Sequence, residues 1–465
     1  MANQLDTYKQ GNFPGKDTQM VWPLYGAGLE NLGVDGKPTT VTMPSFGLDE
    51  LLVRHDACGL CFSDIKVIRL GQDHPRIYRD MRKEPVVLGH EVVMTVVGVG
   101  DNLKAQYKPG DRFILQADIF VDGVGYAYGY EIQGGLSQYN VIDQRVLNGD
   151  HGNYLIPIRA ETGYAEAALV EPWACVIAAY YLTYRTSLKD SGTAWFIGPD
   201  NGNFSLSSGL SAEHHPAVIK LTNMHGPFAS WLRAQAKTLG IQIVEVQDIP
   251  EIEGDPAVDE QSDDIILLSA DADLIEKVSP FLAYQGILAF INSKPFSRKA
   301  NLDIGRVHYN RWLFLGGSDT DIDALYRTAP ASSARKKGVK ALFVGPGGSR
   351  GRLQLQHAIV SNFHPAVIVG AEVSNLRLDD LEETFGDEAR AKGITWVCVN
   401  PTEKGTYDAA MQPYLKNGFD DIIMLAPIPA VISGAAPLLA EHGVMNVFAV
   451  VGRGTPAEID LNDMA

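Results

Sequence analysis

The chain has 465 residues, and at roughly 100–200 residues per domain this length predicts about three domains. Hydrophobic residues at 45% and charged residues at 20% exclude a mostly disordered, collagen-like or coiled-coil chain. The 39 Lys and Arg against 56 Asp and Glu leave a net charge of −17 and a pI near 5.1. That balance argues against nucleic acids and anionic membranes as partners, because both need a basic footprint. The N-terminal MANQLDTYKQGNFPGK has no basic-then-apolar signal pattern, and no run approaches about 18 uninterrupted apolar residues. Four cysteines are too few for a disulfide framework. The expected setting is a reducing cytoplasm.

Up to about residue 190 the chain reads as short strands broken by Gly, Pro and Asp, among them Val86 to Leu88, Val92 to Val99 and Arg112 to Leu115. Turns such as Lys108-Pro109-Gly110-Asp111 separate them, the texture of an all-β, barrel-like module. The glycines between Gly123 and Gly135 suggest a loop over a site. From Ala165 to Tyr184 a helical run follows, interrupted near Glu171-Pro172.

Beyond residue 190 the pattern becomes strand, Gly loop, helix, strand, the signature of a parallel sheet. It also repeats. Trp195 to Pro199 resembles Leu342 to Pro346, His215 to Ile219 matches His364 to Ile368, and Asp263 to Ile266 matches Asp420 to Ile423. Each Asp-Asp-Ile-Ile run is followed by a helix and a strand led by Gly286 or Gly443. Two copies of one α/β domain are expected, at 191–327 and 338–465, joined by a linker from Thr328 to Ala334 and Arg335-Lys336-Lys337.

The glycine loops of the copies differ. Copy one has GPDNGN, with only Gly198 and Gly202. Copy two has Gly345-Pro346-Gly347-Gly348-Ser349-Arg350-Gly351, between a strand and a helix, where backbone N–H groups can approach a pyrophosphate. An acidic residue about 20 positions on would hold ribose hydroxyls. Glu372 takes that place in copy two, whereas copy one has Asn223. The pattern favours a dinucleotide on copy two, with NAD(H) preferred over NADP(H). The alternative is a GPGG turn that only packs a helix on a sheet.

The other cluster lies in the β module, where Cys58-Gly59-Leu60-Cys61-Phe62-Ser63-Asp64 is followed by Gly89-His90-Glu91. Thiolate, imidazole and carboxylate together suit Zn²⁺, and three protein ligands plus an open position is the catalytic arrangement. Alternatively, the CxxC is a redox pair or two buried cysteines. With no second CxxC, a four-cysteine structural zinc site is not supported.

These motifs carry a resemblance. CGLCFSD, LGHEVVMTVVGVG, YKPGDRF and ALVEPWA, between Leu51 and Tyr180, resemble the catalytic domain of the medium-chain, zinc-dependent alcohol and polyol dehydrogenases. CFSDIK, GQDHPR, KPGDRFILQA, LVEPWAC and the late NVFA are most similar to the sorbitol and L-sorbose-1-phosphate reductase branch. The resemblance implies a GroES-like β-barrel catalytic domain (1–190) followed by Rossmann-type, doubly wound parallel-sheet domains. It implies Cys61, His90 and Glu171 as metal ligands, with Glu91 beside the metal and Asp64 orienting His90. Ser63 would contact the substrate hydroxyl and pass its proton onward. Lys66 stands where many relatives place a relay histidine, and Cys58 would be a structural bystander. The implied activity is hydride transfer between NAD(P)(H) and a secondary alcohol or ketone, a polyol or sugar phosphate, in either direction. Alternatives are a catalytically silent metabolite- or nucleotide-binding protein and a zinc-free quinone reductase.

Arg69, His74, Arg76, Arg79, Arg82 and Lys83 concentrate positive charge between the two metal motifs; they would suit a substrate phosphate or form a solvated loop. The family has one nucleotide domain and then returns to close its catalytic domain. Here that return is missing after His308-Tyr309-Asn310 and Phe314 to Ser318, and copy two ends before its equivalent. The sequence therefore suggests a shortened chain or a different closure. Copy one would be a scaffold with the cofactor on copy two, or copy one stays catalytic while copy two imitates a neighbouring subunit's sheet. The poorer loop of copy one favours the scaffold. Whether the chain forms a homo-oligomer stays open.

Overall fold

The computed structural model describes residues 8–13, 15–252, 254, 256–292, 294–328, 334–449 and 451–462, and the chain divides into two compact units, 1–175 and 176–465. Residues 329–333 of the expected linker lie outside the described residues. No helix among the described residues is long and apolar enough to cross a membrane.

The first unit is built on β1 (Leu51–Gly59), α1 (Phe62–Leu70), β2 (Glu91–Val99), β3 (Arg112–Leu115), β4 (Tyr139–Ile142) and β5 (Leu155–Pro157). The five strands form one antiparallel sheet in the order β4-β1-β2-β3-β5. β2, EVVMTVVGV, is buried along nearly its whole length, so both of its faces are covered. Leu51, Val53, Val92, Met94, Val96 and Leu115 build the core on one side. On the other, Val93 and Ile114 meet Ala167 and Ala168 of α2 (Tyr164–Ala168). The turn into β3 is held by Lys108 N–H donating to Asp111 Oδ2 at 2.9 Å, with Gly110 at φ +93°. The helical run expected from Ala165 is broken at Leu169, where α2 gives way to α3 (Val170–Ala178).

The second unit contains both α/β copies. Copy one comprises β6 (Thr193–Ile197), β7 (Val218–Thr222), α4 (Pro227–Leu239), β8 (Gln242–Glu245), β9 (Ser262–Leu267), α5 (Ala272–Val278), β10 (Leu282–Ile291), β11 (Ala300–Asp303), β12 (Leu313–Gly317) and α6 (Ile322–Thr328). Copy two comprises β13 (Lys340–Val344), α7 (Ser349–Val360), β14 (Val367–Ala371), β15 (Thr395–Val399), β16 (Phe419–Met424), α8 (Pro429–Ala435), β17 (Leu439–Val447) and β18 (Pro456–Ile459). The parallel sheets run β8-β7-β6-β9-β10-β12 and β15-β14-β13-β16-β17, the doubly wound order in both. The repeat extends to irregularities. The register shifts between Ser262 and Asp264 and again between Phe419 and Asp421, and Gln285 and His442 both have φ +59°.

The copies do not merge into one continuous sheet. A separate antiparallel ribbon joins them, pairing β11 with its counterpart β18. Asn301 faces its own equivalent, Glu458, while Ala300 faces Ile459 and Leu302 faces Ala457. Equivalent residues exchanging places across one pair is the mark of a two-fold relation. A single apolar cluster then draws on both sheets, including Trp195, Ile265 and Phe290 with Leu342, Val369 and Ile422.

Candidate metal centre and nucleotide loop

β1 ends at Gly59, and Cys61 caps the helix that follows. Asp64, in the first turn of α1, accepts from Cys61 N–H at 2.9 Å through Oδ2 and from Gly89 N–H at 3.2 Å through Oδ1. One carboxylate thus ties the Cys61 turn to the entry of β2, which carries His90 and Glu91. Ligand atoms of Cys61, His90 and Glu91 all lie within 4.8 Å of one another, and all three residues are buried. Asp64 Oδ1 stands 3.6 Å from His90 Nδ1, which leaves Nε2 as the nitrogen for a metal. Burial alone would lower the His90 pKa, but Asp64 and the Cys61 thiol outweigh it and raise it to about 10. Thiol, imidazole and carboxylate in one dry pocket fit Zn²⁺, and three protein donors leave a position open for substrate.

Glu91 reaches the cluster because its strand partner is Gly59, where a Cβ would stand 2.3 Å from Glu91 Oε2. Glu171, at the start of α3, is not in this set; its Oε1 lies 3.7 Å from Cys175 Sγ. Cys58 packs between Gly89 and Gly135, and burial, with Asp64 and Glu91, pushes its thiol up to about 12. A neutral thiol is a poor metal ligand. Ser63 Oγ lies 3.5 Å from Cys61 Sγ, and the nearby Tyr130 has its pKa raised by burial, against which Ser63 acts. The Tyr130 ring sits 6.3 Å from that of His90 and 5.2 Å from that of His74. Tyr130 went unnoticed in the sequence, although it belongs to the glycine-rich stretch expected to cover a site. Lys66, one turn along α1 from Ser63, is half-buried.

In copy two, Gly345, Gly347 and Gly348 lead from β13 into α7, with Gly348 as its N-cap and Gly351 inside its first turn. A Cβ on Gly351 would stand 2.3 Å from Pro346 O, so the helix packs tightly on its loop; one on Gly348 would meet nothing within 4 Å. Glu372, just past β14, is buried and accepts from Gly347 N–H at 2.9 Å, with Arg377 at 3.9 Å. In copy one no helix lies between β6 and β7: Gly198 and Gly202 belong to an irregular segment through residue 217. Asp200, from that segment, accepts from Ala229 N–H at 2.8 Å at the start of α4, so a carboxylate of the chain itself fills that helix terminus.

Residues 47–149 match the alcohol dehydrogenase GroES-like domain. The chain is 31% identical to the mannitol-1-phosphate 5-dehydrogenase of Aliivibrio fischeri, across 60% of this chain and 70% of that protein. It is 26% identical to the L-sorbose 1-phosphate reductase of Klebsiella pneumoniae, across 64% of this chain and 76% of that one. A crystal structure of an Escherichia coli oxidoreductase/dehydrogenase of unknown specificity is 15% identical, with 96% of this chain and 81% of that chain covered at a TM-score of 0.47.

Proposed function

The chain belongs to the medium-chain, zinc-dependent alcohol and polyol dehydrogenase superfamily, and on that premise we propose hydride transfer between NAD(H) and a secondary alcohol or ketone of a polyol phosphate. The buried convergence of Cys61, His90 and Glu91 carries this reading. Those three residues would hold the zinc. When bound, zinc polarises the oxygen of the alcohol or ketone and lowers the alcohol's pKa, and the nicotinamide accepts or supplies the hydride.

The remaining work falls to the chain's own groups. Asp64 keeps His90 turned toward the cluster by facing Nδ1 and by holding the two backbone segments that carry Cys61 and His90. Ser63, beside Cys61, would contact the substrate hydroxyl and pass its proton onward, with Lys66 one turn further along the same helix face.

The nucleotide is assigned to copy two, which alone keeps a helix behind its glycine loop; copy one would be a scaffold. The Glu372 carboxylate suits ribose hydroxyls and repels a 2′-phosphate, and the nearby cation, Arg377, already faces that carboxylate. This favours NAD(H) over NADP(H). The test is NADH formation, followed optically, with polyols and their monophosphates. Turnover abolished by a chelator and restored by Zn²⁺ is expected. Chelator-resistant turnover would remove the metal from the reaction, and no turnover on any such substrate would favour the silent binding protein.

A further inference from the structure

The basic stretch after α1 is sorted by its partners. Arg79 pairs with Glu131 at 3.1 Å, Lys83 with Asp80 at 3.4 Å, and Arg69 lies over the Phe62 ring at 5.7 Å. His74 faces Tyr130, the aromatic neighbour of the cluster, and Arg76, two residues on, pairs its guanidinium with Asp118. His74 packs its ring against Tyr130, and the charge of Arg76 acts on both His74 and Tyr130. Lys66 acts on His74 as well. His74 therefore stands one aromatic ring away from His90, with Arg76 bonded to its ring through the backbone N–H and Lys66 one helical turn from Ser63, on a chain whose net charge is −17.

We propose that Arg76, His74 and Lys66 form the subsite for the phosphate of a phosphorylated polyol, with Tyr130 as the wall between phosphate and reacting carbon. The proposal rests on the reading of the Cys61–His90–Glu91 cluster as the reaction centre. His74 Nδ1 accepts from Arg76 N–H at 3.3 Å, so the neutral ring carries its proton on Nε2 and offers a donor. Burial, then Arg76 and Lys66, lower the His74 pKa, which keeps that neutral donor form at physiological pH. Arg76 supplies the planar fork that matches phosphate oxygens, and Lys66 adds a point charge. Arg76 is also paired with Asp118, whose side chain is 57% exposed. A phosphate dianion would have to share or displace that carboxylate, so Asp118 sets the affinity of the subsite in the opposite sense.

The zinc-loaded protein is titrated calorimetrically with inorganic phosphate, and KM and kcat are measured for mannitol 1-phosphate and for free mannitol. Arg76→Gln should weaken phosphate binding and raise KM for the ester by about tenfold or more, with kcat and the values for free mannitol unchanged. Asp118→Asn should tighten phosphate binding by about threefold, an outcome that lost structure would not produce. Phosphate affinity unmoved by both substitutions, or an equal loss on ester and free polyol, would overturn the proposal. If neither compound is turned over but phosphate affinity shifts as stated, the subsite stands and the dehydrogenase reading fails.

Discussion

Asp64 ties together the group of Cys61, His90 and Glu91 without belonging to it. Its two oxygens hold Cys61 N–H and Gly89 N–H, and one of them faces His90. Removing it with Asp64→Ala should weaken zinc binding by about 10–100-fold, as loss of an orienting carboxylate does elsewhere, measured by competition with a chromophoric chelator. Unchanged affinity would mean that the backbone alone sets the site. His90 also gives zinc uptake a pH dependence. Without metal, its pKa of about 10 keeps the ring protonated at pH 7. Ligation needs the neutral ring, so zinc binding at pH 7 should release a proton from His90, and affinity should rise with pH until about pH 10. Calorimetry in buffers of different ionisation enthalpy reads the total proton release, and a His90→Ala protein, which keeps the Cys61 thiol, shows how much of it belongs to His90. Cys61 and His90 were legible in the sequence because CxxC and GHE carry ligand chemistry at short range. That Glu91, and not Glu171, stands with them was not, since it depends on Gly59 leaving room across the strand pair for Glu91. Glu91→Gln should therefore reduce zinc affinity more than Glu171→Gln.

At the scale of elements, what separates the copies is a helix. The loop GPDNGN looked poor in glycine, but its consequence lies further along. NGNFSLSSGLSAEHH, rich in Ser, Gly and Asn, forms no helix between β6 and β7, and Asp200 takes the terminus of α4. Copy two has α7 in that place, with Gly348 open at its N-cap. Gly348 is the informative position to change. Its φ of −82° and ψ of 170° suit any residue, and an added side chain meets no neighbour. Gly348→Leu should then lower NADH affinity by about tenfold or more while leaving the melting temperature unchanged, because the side chain occupies the approach of a pyrophosphate. Gly347 is a poorer probe, since a Cβ there would stand 2.6 Å from Glu372 Oε2 and disturb the loop itself. Equal NADH affinity in wild type and Gly348→Leu would move the nucleotide away from this loop.

Across the whole second unit, the duplication was visible as three matched motifs in order, and the doubly wound sheets follow from it. The way the copies interlock was not visible, because it depends on partners far apart in the chain. Each sheet pairs the second aspartate of its repeated Asp-Asp pair with an arginine, Asp264 buried and Asp421 half-buried. Asp264 accepts from Arg185 Nη1 at 2.9 Å and from the Tyr326 hydroxyl at 2.7 Å. Asp421 lies 2.8 Å from Arg335 Nη1, and Arg335 in turn donates to the Tyr180 hydroxyl. Tyr180 precedes copy one yet serves copy two, while Tyr326 ends copy one and serves it from the far side. Arg335, taken from sequence as part of a linker, has a side chain only 2% exposed. Asp421→Ala would strand that guanidinium in the interior and should cost about 3–5 kcal/mol, read as a lowered melting temperature. Tyr180→Phe removes two hydrogen bonds, the one accepted from Arg335 and the one donated to Gln354 Oε1 at 2.7 Å, and should cost about 1–3 kcal/mol.

The central claim is that Cys61, His90 and Glu91 bind the zinc on which the reaction depends, and metal content measured together with turnover tests it most directly. Wild type should carry one zinc per chain and reduce NAD⁺ with a polyol phosphate, and Cys61→Ser should lose both together while keeping its fold. A Cys61→Ser protein that retains zinc and turnover, or a wild-type protein that takes up no zinc from a zinc-containing buffer, would contradict it.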